Sequence, residues 1–128
     1  MKAAQISVVM YGHDAHLLET RKWVLEGLGY RVFAITHLAE LDRIPIAPPI
    51  ALLVLCHTLS PKDAANAVAQ ASLRWPGVKK LALLRENSKA PSRLPGRARQ
   101  TLDGPTRLMS MVTELVGYAG SSSYSHIY

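Results

Sequence analysis

A single cysteine in 128 residues excludes an intrachain disulfide framework and any structural zinc site built on several thiolates. A lone thiol also suits a reducing compartment, so the expected location is cytoplasmic. No apolar run reaches the roughly 18 residues that crossing a bilayer needs. The N-terminus enters a strand-like pattern without the basic and apolar regions of a signal peptide, so no membrane association is expected. Aromatic residues make up only 6% of the chain, and none lies between Trp75 and Tyr118. A base-stacking platform for single-stranded nucleic acid is therefore missing from that region. Glycines are also sparse where phosphate binding would need them. Gly12-His13-Asp14 lacks the second and third glycines of a dinucleotide fingerprint, and no serine-centred elbow or kinase signature is present.

What remains is a chain of ordinary globular composition, 48% apolar and 19% charged, and long enough for one core. Its net charge of +6 is unevenly placed. Residues 1–73 carry six basic and six acidic side chains, whereas 74–107 carry nine basic residues against Glu86 and Asp103. Such a surplus is either a solvated face or a surface for an acidic protein or a nucleic acid.

The most informative run is Ala51-Leu52-Leu53-Val54-Leu55-Cys56-His57-Thr58. A strand apolar on both faces belongs inside a parallel sheet covered by helices on each side. Ligands of such sheets sit just beyond the carboxyl ends of the strands, which here means Cys56 and His57. Further strands are expected at 6–11, 30–35 and 78–84, with a short one at 99–102. Helical spacing covers 15–28, with Asp14 as its cap, and 38–44, capped by Thr36. A third helix spans 64–73 and opens at the Ser60-Pro61 signal; a last one follows Asp103-Gly104-Pro105-Thr106. Pro91, Pro95 and Gly96 make any helix in 86–97 short or irregular, and 119–128 reads as a flexible tail after a domain over 1–118. Alternating strands and helices require right-handed crossovers. The expected fold is a flavodoxin-like α/β three-layer sandwich with a five-stranded parallel sheet in the order 2-1-3-4-5.

The order and lengths of these elements, the Leu17-Leu18 pair, Leu28-Gly29-Tyr30-Arg31-Val32 entering strand 2, the apolar third strand and Gly104-Pro105 resemble the CheY-like receiver domain of bacterial response regulators. The resemblance spans about residues 4 to 118 and implies a role in two-component signal transduction or phosphorelay. A receiver keeps acidic residues after strand 1 and an aspartate ending strand 3, which together hold magnesium. Here the acidic set aligns with Gly12, His13 and Asp14, and the phosphoacceptor place falls on Cys56 or, one residue along, on His57. The family's threonine or serine ending strand 4 is matched by Leu84 or Arg85, and its lysine by Thr101-Leu102. Magnesium binds through carboxylates plus phosphate oxygens, and one aspartate beside a histidine is a poor site for it. The resemblance with these departures implies a stand-alone, degenerate receiver with no cofactor, no metal and no catalytic residue. It would work through protein contacts as a monomer or homodimer. The partner surface would be the edge made by His13, Asp14, Cys56 and His57, or the basic face of Arg85, Arg93, Arg97 and Arg99.

Two other classes stay open. Cys56 with His57 or His13 suits a small thiol enzyme or a metal-dependent hydrolase, although Cys56 reads more simply as a small buried hydrophobe. Neighbouring residues at a strand end tend to point to opposite sides, so Cys56 and His57 need not touch. The 74–107 region could bind nucleic acid. Trp23 is expected to be packed or half-buried, Trp75 to cover a helix end, and Met109 and Met111 to sit at the core and its edge.

Overall fold

In the computed structural model, which describes residues 5–84 and 99–117, five parallel strands form one sheet in the order β2-β1-β3-β4-β5. The strands are β1 (Ser7–Tyr11), β2 (Arg31–Ile35), β3 (Leu52–Leu55), β4 (Lys79–Leu84) and β5 (Arg99–Leu102). The helices are α1 (Ala15–Gly27), α2 (Pro61–Arg74) and α3 (Pro105–Val116). The expected topology is the observed one. β1 and β3 are central and buried along their whole length, which is why both read as unbroken apolar runs.

Side chains alternate between two cores. Val9, Tyr11, Leu53 and Leu55 face α2, together with Leu41, Ile44 and Trp75. Val8, Met10, Leu52, Val54 and Cys56 face α1 and α3, against Leu18, Leu25, Leu108 and Val112. α1 begins at Asp14, whose carboxylate accepts the Leu17 N–H at 3.1 Å, and α2 begins at Ser60, whose Oγ accepts the Asp63 N–H at 3.1 Å. Gly29 takes φ 96° just past α1, a conformation glycine adopts without steric cost.

Several expectations are corrected. The segment after β2 is a 3-10 helix, Leu38–Arg43, preceded by His37 at the cap position rather than Thr36. Thr36 and His37 instead donate their N–H groups to the Glu40 carboxylate. Burial opposes ionisation of Glu40, but these donors outweigh it and hold its carboxyl below the usual range. α2 starts at Pro61 behind its Ser60 cap, as the Ser60-Pro61 signal indicates. Trp23 is 64% exposed instead of packed: it shares an outward stripe of α1 with His16, Glu19 and Glu26, while Leu18 and Leu25 turn inward. Met109 and Met111 are both half-buried. The 86–97 segment, the 119–128 tail, and Arg85, Arg93 and Arg97 lie outside the described residues. Among the described residues no helix is long and apolar enough to cross a membrane.

Candidate functional site at the carboxyl edge of the sheet

The carboxyl ends of β1 and β3 lie side by side, with Tyr11 in register with Leu55. Gly12 and Cys56 follow those strands, and the Cys56 N–H donates to the Tyr11 carbonyl at 2.9 Å. By alternation both residues turn toward α1 and α3. A Cβ placed on Gly12 would stand 2.8 Å from Cys56 Cβ, 3.1 Å from Thr58 Oγ1 and 3.3 Å from Cys56 Sγ. The thiol and the Thr58 hydroxyl thus fill the space that a side chain at residue 12 would occupy. Gly12→Ala is expected to lower stability by about 1–3 kcal/mol in a urea titration, because the added carbon meets another Cβ rather than a flexible tip.

His13 is tied to this space through its backbone. Its N–H donates to Thr58 Oγ1 at 2.9 Å, and its ring edge approaches Tyr11, with centroids 5.7 Å apart. Its Nε2 lies 2.9 Å from Asp63 Oδ2 on the first turn of α2. The His13 and Ser60 hydrogen bonds hold the Asp63 carboxyl below its usual range. Burial, aided by the Asp63 charge, pushes the Tyr11 hydroxyl up. The two loops beyond β1 and β3 are tied to each other and to α2.

On the opposite side a second charged group is built around Asp103, in the turn between β5 and α3. Its carboxylate accepts two hydrogen bonds from Arg21 of α1, at 2.8 and 3.2 Å, and lies 3.5 Å from His57 Nε2. The Asp103, Arg21 and His57 side chains are 9%, 13% and 18% exposed. The Asp103 N–H donates to the Leu84 carbonyl at 2.7 Å, which fixes the turn to the end of β4. Leu84 and Thr101, at the family's hydroxyl and lysine places, are half-buried strand residues that contribute pairing.

Cys56 and His57 go to different partners. The chain leaves the extended conformation after Cys56, and His57 swings to the same α1–α3 side, where Asp103 takes it. Cys56 is 4% exposed. Burial, followed by the negative charge of Asp103, pushes its thiol up to about 12. The candidate residues are therefore gathered at one edge but divided in two: His13 goes with Asp63, and His57 with Asp103 and Arg21. Among the described residues no three His, Cys, Asp or Glu side chains converge in a metal-binding arrangement. Asp14 is occupied as the α1 cap. Arg99, offered as part of a basic face, is exposed and paired with Glu114 at 2.8 Å.

Sequence reading missed Arg21, Thr58, Asp63 and Asp103. The one available hint was Asp103, a lone carboxylate between Arg99 and Arg107 in a basic stretch. Nothing local signals that it meets a side chain 82 positions away.

No family model and no curated protein matches the chain. Solved structures do. A CheY-like response regulator receiver domain protein from Methanospirillum hungatei JF-1 aligns with TM-score 0.67 and 20% identity over 87% of this chain and 93% of that one. A two-component response regulator from Clostridium difficile gives 0.69 and 14% over 88% and 96%. A response regulator from Thermotoga maritima gives 0.67 and 14% over 88% and 98%. The chain has the fold of CheY-like response regulator receiver domains.

Proposed function

We propose that this chain is a receiver-fold signalling module that acts through protein contact and does not take up phosphate. The observation that carries the reading is the filled space between β1 and β3. Cys56 and Thr58 occupy the room beside Gly12, so a side chain at that position, between the two strand ends where a receiver gathers its carboxylates, has no space. The charge arrangement points the same way. The buried carboxylate belongs to Asp103, is neutralised within the protein by Arg21 and lies against His57. One capping aspartate, Asp14, remains, and a single carboxylate is weak competition for magnesium hydration. Transfer of a phosphoryl group would also need a cation at the site of developing negative charge, and Arg21 is already engaged.

The test is titration with magnesium and beryllofluoride, followed through backbone amide resonances. Unchanged shifts at residues 11–14, 56–58 and 101–104 are expected; saturable shifts there overturn the reading.

The thiol-enzyme alternative is opposed by the burial of Cys56 and its raised pKa, since the thiolate is the reactive form. Alkylation by iodoacetamide near pH 8 is expected to be slower than in the denatured chain by on the order of a thousandfold. Linkage follows with a definite sign. The unfolded thiol ionises near 9 and the folded one near 12, so this group's contribution to stability is complete below pH 9 and is lost as pH rises toward 12.

A further inference from the structure

β2 is an outer strand of the sheet, bonded to β1 alone among the described strands. The Arg31 N–H donates to the Ile6 carbonyl, and the Ile35 carbonyl accepts from the Gly12 N–H. In a parallel ladder this alternation directs the backbone groups of Arg31, Phe33 and Ile35 toward β1 and those of Val32 and Ala34 outward. Those outward N–H and C=O groups have no partner among the described residues. They form the floor of a cleft of about 340 Å³, walled by Lys22 of α1 on one side and by Glu40, Arg43 and Ile44 on the other.

The charges around this floor are uneven. Arg31 lies over the Phe33 ring, 5.0 Å from its centroid, and neither Arg31 nor Arg43 has a carboxylate partner among the described residues. Among the described residues Lys22 is held only by Glu26, at 3.9 Å. Of the nearby carboxylates, Glu40 is committed to the Thr36 and His37 N–H groups, Asp42 faces Arg74, and Glu19 lines an adjoining cavity. An unpaired strand edge invites another strand, and natural proteins commonly blunt or cover it. Here a half-buried aromatic and two unpaired guanidinium groups border it instead.

We propose that the β2 edge takes an acidic, extended segment of a partner protein as a sixth strand. The segment's backbone would pair with Val32 and Ala34, an apolar side chain would meet Phe33, and carboxylates would meet Arg31 and Arg43. A second copy of this chain suits the edge less well, because it would bring a second Arg31 and Arg43 to an edge where neither has a carboxylate partner among the described residues. This proposal names the docking site for the protein-contact reading and rests on it, but it involves none of the residues at the carboxyl edge.

The probes are synthetic octapeptides alternating valine with glutamate, lysine or serine, with binding read by fluorescence anisotropy and by amide hydrogen exchange. The glutamate peptide is expected to bind, to slow exchange at Val32 and Ala34, and to outcompete the lysine peptide. Ala34→Pro removes an outward N–H and no bond to β1, so it is expected to weaken binding about tenfold while the thermal midpoint holds. Arg43→Glu, on the cleft wall, is a second variant expected to weaken the glutamate peptide alone. Absence of glutamate-peptide binding, equal binding by all three peptides, or binding unaffected by Ala34→Pro overturns the proposal. So does a concentration-dependent dimer that Ala34→Pro abolishes, which would assign the edge to a second copy. Beryllofluoride uptake with edge binding intact would overturn only the phosphate-independent reading. Failed peptide binding without beryllofluoride uptake would overturn only the edge.

Discussion

Asp103→Ala is expected to destabilise the fold by about 3 kcal/mol, lowering the thermal midpoint by on the order of 10 °C. The loss comes less from the missing attraction than from what stays behind. Arg21 keeps a guanidinium that is 13% exposed and has lost both its acceptors, and His57 loses the carboxylate beside its Nε2. The low end of the range for breaking a buried pair applies because both partners retain some contact with water. Replacing the pair together, as Arg21→Met with Asp103→Leu, is expected to recover most of the loss, since a well-packed apolar pair avoids the desolvation cost. Denaturant midpoints for the two single variants and the double variant give the coupling directly. Additive losses would mean that the pair is not coupled and that the carboxyl edge is held by packing alone.

Trp75→Ala is expected to cost about 3–5 kcal/mol. Trp75 is 2% exposed and closes the core at the carboxyl-terminal end of α2, where its indole Nε1 donates to the Pro45 carbonyl at 3.3 Å. Arg74 lies over the ring, 5.3 Å from its centroid, and also donates to the Ile44 carbonyl. Removing the ring therefore opens a large cavity and frees the segment after the 3-10 helix in one step. Trp75→Phe is expected to cost clearly less, because most of the apolar volume remains while the Pro45 carbonyl loses its donor. Equal losses for the two variants would assign the effect to the hydrogen bond rather than to packing. At such a cost a domain of ordinary stability retains a narrow margin, so amide exchange across α2 is expected to accelerate with the global unfolding rate.

Asp103→Ala acts far from the β2 edge and therefore provides an independent control for the binding experiments; Trp75→Ala does not, because it loosens the segment at Ile44, which walls the cleft. A folded but weakened Asp103→Ala protein that still binds the glutamate peptide would separate the architecture of the carboxyl edge from docking at β2.

The layers and most element ends are legible along the chain, because they depend on patterns between near neighbours, and the strand order follows from the alternation of strands and helices as the usual topology at this size. Leu52–Leu55 is apolar on both faces and reads as an internal strand; Asp14 and Ser60-Pro61 read as helix starts. The same logic placed Gly12, His13, Cys56 and His57 at one edge. How that edge is wired depends on the folded chain. Arg21 and Asp103 are 82 residues apart, and His13 and Asp63 are 50 apart. Such pairs form only when separate loops converge, and no periodicity records them. Trp23 illustrates the same limit on a single helix: spacing identified an amphipathic α1, but the phase against the sheet, set by Leu18 and Leu25, sent the tryptophan outward. Propensity and periodicity act between near neighbours, whereas the pairing of charges and the filling of the gap beside Gly12 depend on distances that exist only once the sheet has closed.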